Sequence, residues 1–305
     1  MAYSTKRRAR RSYTRKGYSK RRSSYTGRRR TYRRTKKTSR RMSRKGLLNA
    51  TSTKKQDTML AWSNTNSAGG QQTIAARQVT VKGDTGYWGI FNATARDLEA
   101  AAGKRDRASR SATTCFAVGI REQLRIQTGS ALPWLWRRIC FTYKGDALTD
   151  VDTDTPTSAF YGYVDTTNGL QRAWVNSYIN NEPGRLARQQ GLIFQGTASV
   201  DWNNPITAKV DTTRVSLKYD QTRALHTGNS SGYFKVHKVW HGMYKNIVYG
   251  DEERGALENS VYVSTESKAG MGDYYIVDIF QPGVGGATGD LLAVDSSSTY
   301  YWHEK

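Results

Sequence analysis

The first acidic residue of this chain is Asp57. Ahead of it stand 23 of the 48 Lys and Arg residues, and the 249 residues from Asp57 onward carry 25 basic and 25 acidic side chains. The whole formal charge of +23 therefore sits on residues 1–56, and the remainder is neutral. This split constrains what can fold. Residues 1–46 contain no Leu, Ile, Val, Phe or Trp, and the first 45 hold 21 cations that repel one another. With no apolar surface to offset chain entropy, the segment is expected to be a disordered basic arm until an anion meets it. Beyond it lie all 8 Trp, all 7 Phe and 14 of the 19 Tyr, enough for one large core in about 250 residues.

The arm's chemistry points to nucleic acid. Its cations come in clusters: Lys6, Arg7, Arg8, Arg10 and Arg11, then Arg15, Lys16, Lys20, Arg21 and Arg22. Arg28, Arg29, Arg30, Arg33 and Arg34 follow, then Lys36, Lys37, Arg40 and Arg41. Arg outnumbers Lys by 15 to 6 over residues 1–45, and the guanidinium fork matches phosphate oxygens. Tyr13, Tyr18, Tyr25 and Tyr32 are interleaved with them, and a ring stacked on an exposed base stabilises by about 1–3 kcal/mol. The combination favours single-stranded nucleic acid, with duplex binding through phosphates as the weaker fit. Lys6, Arg7, Arg8, Arg10 and Arg11, and again Arg28, Arg29 and Arg30, fit the basic-patch pattern of a nuclear localisation signal. A nuclear import receptor is then a partner. Membrane insertion is not expected, because the arm has no apolar face and no run approaches the roughly 20 apolar residues of a span. Nor is there an apolar stretch near the N-terminus to act as a secretory signal.

Residues 47–72 are rich in Ser, Thr, Asn and Gly and read as a connector. The folded domain is expected over residues 73–305. Strand signals dominate there: Ile74–Val81, Tyr87–Phe91, Thr113–Gln127, Leu132–Lys144, Ser158–Val164, Gly191–Val200, Arg214–Tyr219, Tyr233–His241, Asp273–Gln281 and Leu291–Trp302. Thr94–Ala102, ending at Gly103, reads as a helix, and Leu170–Ile179 as a weaker one. Many strands, long connections and no βαβ alternation imply an all-β fold, a single eight-stranded jelly-roll sandwich with short loop helices.

Signals of catalysis are sparse. Cys115 and Cys140 sit in apolar runs and read as buried free thiols. His237 and His241 lie four apart in a strand pattern, which separates them by about 13 Å and argues against a shared metal. Asp150, Asp152 and Asp154 imitate the start of a calcium loop, but Thr155 and Tyr161 stand where Gly and Glu are required. The run Gly283–Gly289 lacks the spacing of a phosphate-binding loop and reads as a turn between strands. No catalytic residue, metal or cofactor is expected. A basic ribosomal or chromatin-associated factor is the alternative, but such a protein would spread cations over its body, and this body is balanced.

Four segments carry a resemblance: residues 1–22, LPWLWRRICFTYKG (Leu132–Gly145), YFKVHKVWHGMYKNIVYGDEERG (Tyr233–Gly255) and DYYIVDIFQPG (Asp273–Gly283). In their order and in overall length they resemble the capsid proteins of genomoviruses, small viruses with circular single-stranded DNA, related to geminiviruses. The resemblance covers the arm and most of the body, but not Glu99–Ser111 or Asn176–Gln190. It implies a jelly-roll domain, a T=1 icosahedral shell of about sixty copies, an arm facing the genome, and residence in the virion and the host nucleus.

Overall fold

The computed structural model describes residues 42–98, 107–148, 162–179, 184–228, 232–254, 257–259 and 261–305. The expectations for the arm residues Lys6 to Arg41 and for Asp150–Asp154 fall outside these. The body is all-β, as expected. Its main strands are β1 (Thr53–Thr65), β4 (Tyr87–Asn92), β5 (Thr114–Thr128), β6 (Trp134–Tyr143), β9 (Ser216–Leu225), β10 (Phe234–Val248), β13 (Asp273–Pro282) and β14 (Leu291–Glu304). Six short strands accompany them: β2 (Gln71–Ala76), β3 (Val79–Lys82), β7 (Val164–Thr166), β8 (Gly169–Trp174), β11 (Glu252–Arg254) and β12 (Leu257–Asn259). The described residues therefore hold fourteen strands, more than the eight expected, because hairpins and edge strands are appended to the long ones.

The long strands form two sheets. The larger contains β10-β5-β14-β1 in that order, all antiparallel, and is extended by β8 and β7, with β2 on β1 and β3 on β14. The smaller is β4-β13-β6-β9, also antiparallel. Period-two alternation builds the larger sheet. In β5, Cys115, Ala117, Leu124 and Ile126 are buried, whereas Phe116, Arg121, Gln123 and Arg125 face solvent. Burying a Leu or Ile side chain such as Leu124 or Ile126 contributes about 1.5–3 kcal/mol.

The smaller sheet is apolar on both faces because both are covered. One face of β13 presents Tyr274, Ile276 and Phe280 to the larger sheet. The other presents Tyr275, Val277 and Ile279 to Ile193, Phe194, Ile206 and Val210. That cover consists of α2 (Arg185–Ile193) and the segment after it. It is fastened by Arg137, which donates to the carbonyls of Pro205 at 2.6 Å and Ala208 at 2.7 Å and pairs with Asp220 at 2.7 Å. The outer face of the larger sheet carries no such cover among the described residues.

Four expectations are corrected. The stretch read as a connector holds the end of α1 (Arg44–Thr51) and all of β1, a strand inside the larger sheet. Its alternation was hidden because inward positions hold Lys55, paired with Glu304 at 3.1 Å, and Asp57, paired with Arg96 at 3.1 Å. Residues Thr94–Leu98 are not helical. Asn92 Oδ1 accepts from the Thr94 and Ala95 amides, and the Thr94 hydroxyl reaches Asp273, so tertiary bonds override helix propensity there. Leu170–Ile179 is not helical; its first half belongs to β8, parallel to β1. Gly191–Val200 is not a strand: α2 ends at Ile193, and its buried face of Arg185, Gln189 and Ile193 follows helical spacing.

Candidate nucleic-acid interface

The arm residues named above, Lys6 through Arg41, and both localisation patches lie outside the described residues. The described body offers a second basic and aromatic surface that the sequence reading did not single out. It is the outer face of the larger sheet.

Register brings this surface together. Thr299 of β14 pairs with Arg121 of β5, and Arg121 pairs with Trp240 of β10. On the other side of β14, Lys54 of β1 pairs with His303. Residues directly opposite in antiparallel pairs share a face. The result is a groove of about 450 Å³ lined by Lys54, Lys55, Gln56, Arg107, Val118, Arg121, Trp240, Tyr301 and His303. Trp240 is 45% exposed, and its ring centroid is 5.9 Å from that of Tyr301 at an interplanar angle of 53°. Beside the lining residue Val118, Gly119 sits at a bulge with φ of +155°, against the Trp240 ring. A Cβ there would lie 2.5 Å from the His241 carbonyl oxygen and 2.7 Å from Trp240 Cζ2, so only glycine lets the indole lie against the strand.

Of the groove's cations Lys55 is paired with Glu304, and the other three have no such partner among the described residues. Among the described residues no carboxylate lies within ion-pair distance of Lys54, Arg107 or Arg121. Lys54 instead donates to the Asn49 carbonyl at 2.9 Å. Farther along the face, Arg125 meets Asp295 at 3.3 Å, with both side chains nearly half exposed. Burial and the adjacent Lys54 push the His303 pKa down, so its ring is held neutral near pH 7.

Beneath this face a buried ion quartet ties the sheets together. Glu122 of β5 and Arg172 of β8 come from the larger sheet, and Arg138 of β6 and Asp278 of β13 from the smaller. Arg172 bonds Glu122 at 3.0 Å and Asp278 at 2.7 Å, and Arg138 bonds Asp278 at 2.8 Å and also pairs with Glu122. Ser298 donates to Glu122 and Trp136 Nε1 to Asp278, each at 2.9 Å. Arg172 also lies over the rings of Trp174 at 4.2 Å and Phe91 at 4.3 Å. Burial alone would raise the Glu122 pKa, but Arg138 and Arg172 hold it down at about 2. The quartet fixes β5 at Glu122, and so places its neighbours Arg121 and Gln123 on the outer face.

The two strand histidines serve different surroundings. His237 Nε2 meets the Tyr233 hydroxyl at 2.8 Å, with the Trp136 ring 5.2 Å away. His241 is buried beside Cys140 Sγ at 3.6 Å, with the Tyr219 ring at 5.0 Å. No cluster of three or more His, Cys, Asp or Glu able to hold a metal occurs among the described residues. Both cysteines are free and buried, and the glycine-rich run joins β13 to β14.

Burial, and next Arg138, press the His241 pKa from 6.5 to about 4. The unfolded chain takes up this proton more readily. Stability is therefore complete above pH 6.5 and declines as pH falls toward about 4, by up to about 1.4 kcal/mol per pH unit. Glu122 adds a further loss between pH 4.5 and about 2. Denaturant titrations at stepped pH should give a flatter slope between pH 6.5 and 4 for His241→Gln than for the wild type. Equal slopes would refute the assignment.

A second basic cleft lies where β9 and β10 edge the sandwich. It has a volume of about 500 Å³ and is lined by Lys144, Arg214, Lys218 and Lys245 among others. Burial and the nearby Lys245 lower the Lys218 pKa. Its other cations are partly spoken for: Lys144 bonds the Ser267 and Ala269 carbonyls, and Arg214 pairs with Asp211.

No helix among the described residues is long and apolar enough to cross a membrane. No family model matches the chain, and no curated protein matches it.

Proposed function

We propose that this chain is a viral capsid protein of the genomovirus type. It assembles about sixty copies into a T=1 icosahedral shell and packages circular single-stranded DNA through its Arg-rich arm. The arm also directs import into the host nucleus through an import receptor, and the protein resides in that nucleus and in the virion. The role is structural and not catalytic.

The observation that carries this reading is the confinement of the whole +23 to residues 1–56, ahead of a neutral β body. Sixty such arms hold roughly 1,400 positive charges, comparable to the phosphates of a single-stranded genome of a kilobase or two. A neutral body suits close packing, because like-charged bodies would repel across each contact between copies.

The strand order supports a jelly roll as the body's fold. Its eight long strands fall into β10-β5-β14-β1 and β4-β13-β6-β9. Along the eight long strands the chain changes sheet at every connection except β6 to β9, which is the pattern of two interlocked Greek keys. The six short strands are additions to that frame.

Electron microscopy of the expressed protein, combined with nuclease digestion, tests the proposal. Uniform closed particles that shield nucleic acid from nuclease are expected. Protein that binds nucleic acid without ever forming closed particles would refute it.

A further inference from the structure

We propose that the groove walled by Trp240 and Tyr301 is a second nucleic-acid site, which holds an unpaired base against these rings and the adjoining phosphates with Lys54, Arg107 and Arg121. The inference rests on the reading of the chain as a nucleic-acid binder, and it is independent of shell assembly.

Three features favour this occupant. The outer face of the smaller sheet is sealed by α2 and the segment after it, whereas the outer face of the larger sheet is open among the described residues. The groove's three outward cations have no carboxylate partner among the described residues, so the complementary ligand is an anion. Its aromatic wall is a wedge and not a closed stack: Trp240 and Tyr301 meet at 53°, and the indole is 45% exposed. A base laid on the exposed indole gains a ring face, and Gln56, the cross-strand neighbour of Tyr301, adds a polar group to the same groove.

The same features discriminate among ligands. A duplex keeps its bases stacked inside and offers this wedge only phosphates, so it would leave the rings unused. A protein partner would need carboxylates to meet three cations and an apolar plug to fill the wedge. A single strand supplies both charge and ring faces along its length. The groove's volume of about 450 Å³ lies within the range of about 300–1,000 Å³ typical of small-ligand clefts. The arm and the groove would then divide the work. The arm neutralises charge at long range, and the groove holds a segment of strand against a rigid sheet.

Ultraviolet crosslinking of the full-length protein to oligothymidine, and in parallel to oligouridine, of about ten nucleotides tests this. Crosslinked peptides containing Trp240 or Tyr301 are expected beside peptides from the arm, and the ratio of the two oligomers assigns any sugar preference. Binding is then measured at about 0.5 M salt, where phosphate contacts are weakened but stacking persists. Trp240→Ala should lower that residual affinity about fivefold to a hundredfold, the effect of one lost stacked base, with arm crosslinks unchanged. Trp240→Phe should restore most of it. Arg121→Glu, on an exposed position, should weaken binding without altering the melting temperature.

Crosslinks confined to the arm would overturn the groove while leaving the nucleic-acid reading intact. Crosslinks nowhere would remove both. Displacement by duplex competitor as efficient as by single strand would overturn the stacking role. Variants that change the oligomeric state but not the crosslinks would assign the face to contact with a second copy, and would overturn the proposal.

Discussion

Deleting residues 1–45 should leave a folded body that no longer retains single-stranded DNA at physiological salt. The deletion removes 21 cations and leaves 27 basic against 25 acidic side chains, a net charge of +2. Affinity through phosphate contacts falls with salt at a slope of about −0.7 per phosphate neutralised on a single strand. A chain that engages even six to ten phosphates through its arm therefore loses about a thousandfold or more in affinity with the arm gone. The salt dependence of whatever binding remains should be shallow, since only a few body cations contribute. Nuclear import should be lost in the same variant, because both basic patches are removed together. Titration of labelled oligonucleotide at several salt concentrations measures the first effect, and the location of a fluorescent fusion measures the second. A truncated chain that binds with the full-length slope would show that the arm does not carry the interaction.

The buried quartet should give the largest stability effect of any single substitution in the body. Arg172→Met leaves Glu122 and Asp278 to share Arg138, so one negative charge stays buried without a partner. Removing one member of a buried pair costs about 3–5 kcal/mol, a large part of the 5–15 kcal/mol typical of a whole domain. Replacing all four residues with apolar side chains of similar volume should cost far less, because no charge is then stranded. Denaturant unfolding of both variants under non-assembling conditions separates the two cases. A loss below about 1 kcal/mol for Arg172→Met would mean that the charge finds compensation elsewhere. The quartet joins β5 and β8 of one sheet to β6 and β13 of the other, so its loss should also loosen the groove above Glu122.

Much of this body is legible in the chain. β5, β6, β13 and β14 announce themselves by apolar or alternating runs, and the turns between them by Gly, Asn and Pro. The elements that escaped share one physical cause. β1 and β8 carry charged side chains at inward positions, Lys55 and Asp57 in one and Arg172 in the other, and each is satisfied by a partner far away in sequence. A rule that reads only apolar spacing cannot see a buried ion pair. The end of α2 reads as a strand in the sequence because Leu192, Ile193 and Phe194 form a short apolar run, and periodicity alone does not separate a strand from a helix end there. The arm's charge is plain in the sequence, since charge density needs no fold. The groove could be read only halfway. Period two puts Arg121, Gln123 and Arg125 on one face of β5, and Val236, Lys238 and Trp240 on one face of β10. That Tyr301 and Lys54 join them depends on the order β10-β5-β14-β1, and nothing local in the sequence fixes it.

The mass of the assembled species tests the central claim most directly. Sixty copies of a 34.3 kDa chain amount to roughly 2 MDa of protein in a closed shell, before any nucleic acid is counted. Sedimentation or mass photometry of the purified full-length protein should reveal one discrete species of that size, with an absorbance ratio that indicates enclosed DNA. A monomer, or a continuous spread of sizes, at every salt concentration and pH would contradict the account.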